Sequence, residues 1–232
     1  MLSVTDICND FIHLFFPHVC AGCGTDVLNR ESPLCLHCIN QLPLTNFHLH
    51  ANNPVERYFW GRIPVRHATA LCHFTRASLV QHLLHQLKYK GNKDIGFFLG
   101  RMAGKLLRES NYFDDVDALV PLPLFAQREQ KRGYNQAAVL CEGMAAAMQL
   151  PVIGNAVVRL SATETQTHKN RAERWQNMEG RFQLIQADAV YNKHVLLVDD
   201  VVTTGATLEA CGEELLKAQN TRLSIATLAY TV

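Results

Sequence analysis

Apolar and polar positions along the chain fall into two alternating kinds of block. Residues 63–74 (IPVRHATALCHF) partly alternate and predict a strand. Residues 77–90 (ASLVQHLLHQLKYK) carry apolar side chains at helical spacing, with Gly91 as the stop, and residues 95–108 repeat the helical pattern. Residues 116–124 (VDALVPLPL) form an apolar run bounded by prolines, which predicts a buried strand ending in a turn. Residues 135–149 again read as helix. The run VLLV at 195–198 fits a central strand, 195–199, covered on both faces. A helix over 206–219 and a strand over 222–230 (RLSIATLAY) complete the pattern. Strands alternating with helices predict an α/β fold, a parallel sheet flanked by helices.

The chain has 232 residues, enough for one medium domain and a small appendage. Asn52-Asn53-Pro54 reads as a connector. The expected division is therefore residues 1–60, a cysteine-bearing module, and 61–232, the sheet domain. No apolar run reaches the roughly 18–20 residues that a membrane span needs. The first residues lack a basic segment and carry Asp6 and Asp10 among apolar neighbours, unlike a signal peptide. A cytoplasmic protein with no membrane span is expected.

Cysteine usage adds a metal site to this picture. Cys20 and Cys23 lie in CAGC, and Cys35 and Cys38 in CLHC. Two such knuckles present four thiolates, enough to close a tetrahedral structural Zn²⁺ site in a small zinc-ribbon-like module. A disulfide framework is disfavoured in a reducing compartment. An iron–sulfur cluster is the other reading of four thiolates, though paired knuckles favour zinc. His18 and His37 flank the knuckles as substitute ligands. A site filled by four cysteines has no open position for catalysis, so its expected job is to fold a segment too short for its own core. Cys8, Cys72, Cys141 and Cys211 occur singly and read as small buried hydrophobes.

Net charge is +1, but residues 61–135 hold twelve Lys/Arg against six Asp/Glu. A basic middle third suits an anionic ligand or nucleic acid, and equally a solvated surface. Overall charge is nearly neutral, and aromatic and basic residues do not interleave, which argues against direct DNA binding.

Sharper chemistry follows the VLLV strand. Asp199 and Asp200 fall at its carboxyl end, the edge where open α/β sheets bind ligands. Thr203, Thr204, Gly205, Ala206 and Thr207 then supply hydroxyls and a flexible backbone, and a helix starting near Ala206 directs unpaired N–H groups into the loop. Strand, Gly/Thr loop and helix N-terminus make a phosphate cradle, without the lysine of a Walker A loop. Two adjacent carboxylates beside a phosphate need compensation, from sugar hydroxyls or a divalent cation. A phosphorylated sugar satisfies both halves. A plain helix N-cap would account for Thr203 or Thr204 alone. Upstream, Arg128, Lys131, Arg132 and Gly133 follow a strand end, where three cations suit a pyrophosphate or simply form a basic turn. Lys88 and Lys90 are explained by a helix C-terminus.

The stretch VLLVDDVVTTGATL resembles the phosphoribosyl-pyrophosphate (PRPP) motif of type I phosphoribosyltransferases. By that resemblance Asp199 and Asp200 are the catalytic-site carboxylates on the ribose hydroxyls, and residues 203–207 hold the 5′-phosphate. FFPHVCAGCG…CLHC, LKYKG (87–91), VPLPLFAQREQKRGYNQA (120–137), TQTHKNRAERWQNMEGRF (165–182) and the PRPP motif occur in one order. That order resembles the ComF/GntX family, nearest its GntX branch, a family associated with competence and with bacterial use of external DNA. The resemblance implies a ligand that is PRPP or another ribose 5-phosphate compound. It also implies Mg²⁺ arriving with the pyrophosphate, Arg128, Lys131 and Arg132 in the pyrophosphate-loop position, and Arg171 and Arg174 on a mobile cover. A solvated helix with ordinary ion pairs is the plainer reading of residues 163–181.

Two functions remain open at this stage. One is pentosyl transfer from PRPP by substitution at C1, with an unidentified acceptor. The other is a noncatalytic sensor of PRPP or nucleotide, or an accessory factor contacting DNA or a DNA-uptake protein. The chain ends shortly after its last predicted strand, so no acceptor hood is expected there, and acceptor recognition falls to residues before 76.

Overall fold

The computed structural model describes residues 19–29, 32–160 and 182–231. The chain forms two compact units, Met1–Leu42 and Pro43–Val232. In the first, a tight turn closes the first knuckle through Gly24 N donating to Cys20 O at 2.9 Å, and helix α1 (Leu36–Asn40), with Cys35 as its N-cap, carries the second.

The second unit is built on a parallel sheet. Its strands are β1 (Val65–Phe74), β2 (Ala118–Pro121), β5 (His194–Val202) and β6 (Arg222–Thr231), in the spatial order β1-β6-β5-β2. The register pairs Leu196 with Ser224 and Asp199 with Thr227 on one side of β5, and Leu197 with Val120 on the other. Val195 to Val198 are fully buried, as expected for a strand covered on both faces. Beyond β2, Val152 pairs parallel to Leu119, and beyond β1, Leu44 pairs antiparallel to Cys72. A separate antiparallel pair, β3 (Val157–Arg159) and β4 (Phe182–Leu184), was not apparent in the sequence pattern.

Helices α3 (Leu79–Tyr89), α4 (Lys93–Arg108) and α6 (Gln136–Met148) lie where the periodicity places them, each opened by a side-chain cap. Ser78, Asn92 and Asn135 accept from the N–H of Gln81, Ile95 and Ala137. A methyl group on Gly100 of α4 would collide with Leu140 O, and one on Gly143 of α6 with Phe97 O, so these helices meet backbone to backbone. A single helical turn, α7 (Ala187–Val190), precedes β5, and helix α8 (Ala206–Leu215) contacts β3, β4, β5 and β6. It shares a core with Val55, Phe59, Ile63, Val195, Leu197 and Ile225.

Residues 43–60 belong to the sheet unit rather than to the cysteine module, contrary to the boundary read at residue 60. Asn53 is a cap, not a connector. Its Oδ1 accepts from Val55 and Glu56 N–H to open α2 (Pro54–Arg57), and its Nδ2 donates to Ala68 O of β1 at 2.8 Å. Val55 and Phe59 then enter the core. Among the described residues, no helix is long and apolar enough to cross a membrane.

Candidate functional site

Strand β5 does not end at the two aspartates. It runs on to Val202, because β6 continues to pair with it as far as Tyr230. Strand alternation therefore sends the neighbouring side chains to opposite faces of the sheet. Asp200 meets Lys88 at the end of α3, with Nζ 3.0 Å from Oδ2. The contact is an ion pair without hydrogen-bond alignment. Asp199 Oδ1 accepts from Asp200 N at 2.8 Å. Burial, reinforced by the Asp200 carboxylate, pushes the Asp199 carboxyl up to about 8, against the opposing pull of the Asp200 N–H, Lys88 and Arg159.

The loop after β5 is held from outside. Gly205, at φ +77°, is the N-cap of α8, a left-handed backbone that glycine adopts without strain. A Cβ there would sit 3.0 Å from Phe59 Cε1. Arg62 Nη1 donates to Thr204 O at 3.0 Å and to Tyr58 O at 2.9 Å, while Nη2 pairs with Glu209 of α8. Thr204 Oγ1 accepts weakly from Ala206 N at 3.4 Å. Among the described residues, the Thr203 and Thr207 hydroxyls have no hydrogen-bond partner, so neither is committed within the protein.

Arg128, Lys131 and Arg132 lie on a short helix, α5 (Ala126–Arg132), which buries none of its side chains. Arg132 is engaged, bonded to Gln136 Oε1 and 5.8 Å over the Tyr89 ring. Arg128 leans on Phe125, with Cζ 5.7 Å from the ring centroid. The segment is anchored at its end by Asn135 Nδ2, which donates to Leu122 O at 3.0 Å, and by Tyr134 Oη, which donates to Leu87 O. Arg171 and Arg174 lie outside the described residues, as do Cys8 and His18.

Three cations at this site were not assigned by pattern. Lys88 was explained as a helix-terminal charge, Arg62 carries no motif, and Arg159 ends β3. The Arg159 guanidinium lies 4.0 Å from the Phe125 centroid and 5.2 Å from that of Phe182.

In the N-terminal unit, Cys20, Cys23, Cys35 and Cys38 place their sulfurs within 4.8 Å of one another. Cys23 and Cys35 Sγ are 3.7 Å apart, close to the edge of about 3.8 Å that four Zn–S bonds of about 2.3 Å would give. Burial pushes the Cys20 thiol up, but N–H groups of Cys35, Cys23 and Gly22 outweigh it and bring it down to about 6. Burial and the neighbouring sulfurs push Cys38 up. Four thiols crowded this way fit a tetrahedral metal ion such as zinc, which holds all of them as thiolates.

The sequence model of the family described as "Phosphoribosyl transferase domain" matches residues 133–231, from the end of α5 through β6. Competence protein F of Haemophilus influenzae is 26% identical over 215 residues, covering 90% of this chain and 89% of its own length. DNA utilization protein YhgH of Salmonella typhimurium is 30% identical over 202 residues, 86% of this chain and 84% of its own. Competence protein ComFC of Bacillus subtilis is 30% identical over 145 residues, 62% of this chain and 56% of its own.

Proposed function

The chain belongs to the ComF family and carries a type I phosphoribosyltransferase fold, and from that premise we propose that it binds PRPP or a related ribose 5-phosphate compound at the end of β5. One observation carries the proposal. A half-buried and a buried carboxylate, Asp199 and Asp200, stand on the central strand two residues before a Thr-Thr-Gly loop that leads into the N-terminus of α8 at Ala206 and Thr207.

Each part has a physical task. Asp199, the more exposed of the two carboxylates, accepts from the ribose hydroxyls, which offsets part of its desolvation, while Asp200, on the opposite face and paired with Lys88, holds the strand end in place. The Thr203, Thr204 and Thr207 hydroxyls and the N–H groups around Gly205 to Thr207 hold the 5′-phosphate. Arg62, which grips Thr204 O and Glu209, keeps that loop in shape before ligand arrives. Arg128, Lys131 and Arg132 are the cations for the pyrophosphate, Arg132 after leaving Gln136. If C1 substitution follows, these residues position the sugar and stabilise the charge on the leaving group.

Mg²⁺ fits only as a partner of the ligand. Asp200 already faces Lys88 and Asp199 Oδ1 already takes an N–H, so among the described residues these carboxylates do not make a dedicated cage. Bound through the pyrophosphate and water, Mg²⁺ would neutralise the leaving group. Zn²⁺ would be structural, held by the four cysteines. A role in the use of external DNA is carried over from the names of the relatives, and we extend it to this chain as part of the proposal.

Calorimetry on the full chain with PRPP and with ribose 5-phosphate, in millimolar Mg²⁺, tests binding. Micromolar affinity that is lost in Asp199→Asn/Asp200→Asn is expected, and no affinity for either compound rejects the proposal. Pyrophosphate release across a panel of nucleobases and amines then separates transfer from binding alone. A gel shift at physiological salt tests DNA contact on its own.

A further inference from the structure

Strand β1 begins beside a cavity of about 140 Å³ to which the phosphoribosyl site gives no role. Phe59, Trp60 and Ile63 form its apolar wall, and Glu56, His67 and Arg66 supply polar groups. The first residues of β1, Val65 to His67, stand at the amino-terminal end of the parallel sheet, whereas the Gly/Thr loop follows the carboxyl end of β5. Phe59 is shared between the two, since its ring edge also faces Gly205.

A dry cavity of about 150 Å³ takes one benzene, so this volume admits a single six-membered ring. Trp60 is 57% exposed and leaves ring surface open to a flat partner. The polar groups select the ring. Glu56 Oε2 accepts from Asn52 N, and Oε1 accepts from Ala68 N at 3.4 Å and faces His67 Nδ1 at 3.3 Å. A carboxylate offers about four acceptor positions, so with three taken about one remains. With Nδ1–H turned to Glu56, His67 Nε2 is a second acceptor. Arg66 spends Nη1 on Asp115 and keeps other N–H groups as donors. Two acceptors beside a donor match the edge of guanine, where N2–H and N1–H donate and O6 accepts. Adenine and cytosine each set one donor beside an acceptor. Charge points the same way. Arg57 Nε donates to Asn52 O at 3.2 Å, its guanidinium lies 5.9 Å from the Trp60 ring centroid, and among the described residues it has no carboxylate partner. An unpaired cation there disfavours a cationic ring and suits the phosphate of a nucleotide.

We propose that this cavity is a second ligand site, which takes the base of a guanine nucleotide. The base stacks on Trp60, its N1–H and N2–H edge meets Glu56 and His67, and its phosphate meets Arg57. The N–H groups of Asn52 and Ala68 hold the Glu56 carboxylate in one orientation before the ligand binds. The site uses neither Asp199 nor Asp200, so it stands whether or not the end of β5 binds a phosphoribosyl compound.

The probe is guanosine 3′-monophosphate, which lacks the 5′-phosphate that the loop after β5 would hold. The chain has two tryptophans, so Trp175→Phe leaves Trp60 as the sole fluorescent reporter. The probe should quench it saturably, and adenosine 3′-monophosphate should bind about tenfold more weakly or worse. In calorimetry on the full chain, Trp60→Ala should weaken the probe by about tenfold or more. Arg57→Met should weaken the probe by about threefold or more and leave guanosine, which has no phosphate, unchanged. Absence of saturable quenching overturns the proposal, and so does equal affinity for the two nucleotides. Undiminished binding by a Trp60→Ala variant that melts like wild type also overturns it, because the base would then sit elsewhere. If Trp60→Ala does not fold, Arg57→Met decides: no loss, or equal loss of probe and guanosine, refutes the site.

Discussion

Lys88 Nζ stands 3.0 Å from Asp200 Oδ2, so the last turn of α3 is tied to the end of the central strand. Asp200 is only 5% exposed, whereas a quarter of the Lys88 side chain remains open to water. Removing one partner of a buried pair strands the other charge, and partial exposure moderates the loss. Lys88→Met is expected to destabilise the ligand-free protein by about 1–3 kcal/mol. Adding Asp200→Asn should recover part of that loss, as urea denaturation of both singles and the double would show. Strict additivity would mean that the two side chains do not interact.

Asp199 makes the free protein sensitive to alkali. Its carboxyl is pushed up to about 8 by burial and then by Asp200, whereas an unfolded aspartate titrates near 3.9. The folded state therefore holds an extra proton between these values. The associated stability is complete below about pH 4 and lost as pH rises through about 8. Wild type should lose stability from pH 6 to pH 9, and Asp199→Asn should be flatter and more stable at pH 9 by about 1 kcal/mol or more. Thermal melts across that range give the comparison. Parallel curves for the two proteins would mean that Asp199 is ionised throughout.

The strands of the parallel sheet, its longer helices and the Gly/Thr loop after β5 were legible because each rests on local signals: apolar runs, caps, and glycine beside threonine. The arrangement of charge was not. Asp199 and Asp200 read as one acidic cluster, yet strand alternation gives them separate surroundings, and only the continued β5–β6 pairing reveals that. Lys88 looked like a helix-end charge because its partner comes from a distant strand. Arg159 is defined by Phe125 and Phe182, two side chains that sequence spacing does not connect to it. Asn53 read as a connector because its bond to Ala68 O is tertiary.

The cysteine unit should come apart alone. Its compactness ends at Leu42, and its four sulfurs are poised for one tetrahedral ion. Purified without chelator, the protein should contain about one zinc per chain, as metal analysis would show. Chelation or Cys20→Ser should abolish amide protection in residues 19–42 and leave that of the sheet unit unchanged in hydrogen exchange. Loss of protection across β5 and β6 at the same time would show that the sheet depends on the metal.

At the opposite end of β5, His194 is fully buried between Asp115 and Ser224. Nδ1 is 2.7 Å from Asp115 Oδ1, and Nε2 is 2.8 Å from Ser224 Oγ. The spacing is that of an acyl-transfer triad, but Ser224 is fully buried on β6 and no substrate carbonyl can reach it. The network instead locks the start of β5 to its neighbours, with Arg66 and Arg222 on Asp115 Oδ2 and Asp117 Oδ2 accepting from His194 N. Burial lowers the His194 pKa, Arg222 and Arg66 lower it further, and together they outweigh Asp115. The folded value thus lies below the unfolded one of about 6.5, so this stability is complete above about 6.5 and lost as pH falls through the folded value. Asp115, also held low, gives way further into acid. Asp199 acts in the opposite direction from about pH 4 upward, so the two dependences oppose each other below about pH 6.5, and the loss on the alkaline side is that of Asp199. His194→Gln, which stays neutral, should be less stable than wild type at pH 7 and should close that gap by pH 5, as urea denaturation at each pH would measure. A gap of the same size at both values would mean that His194 does not titrate on unfolding.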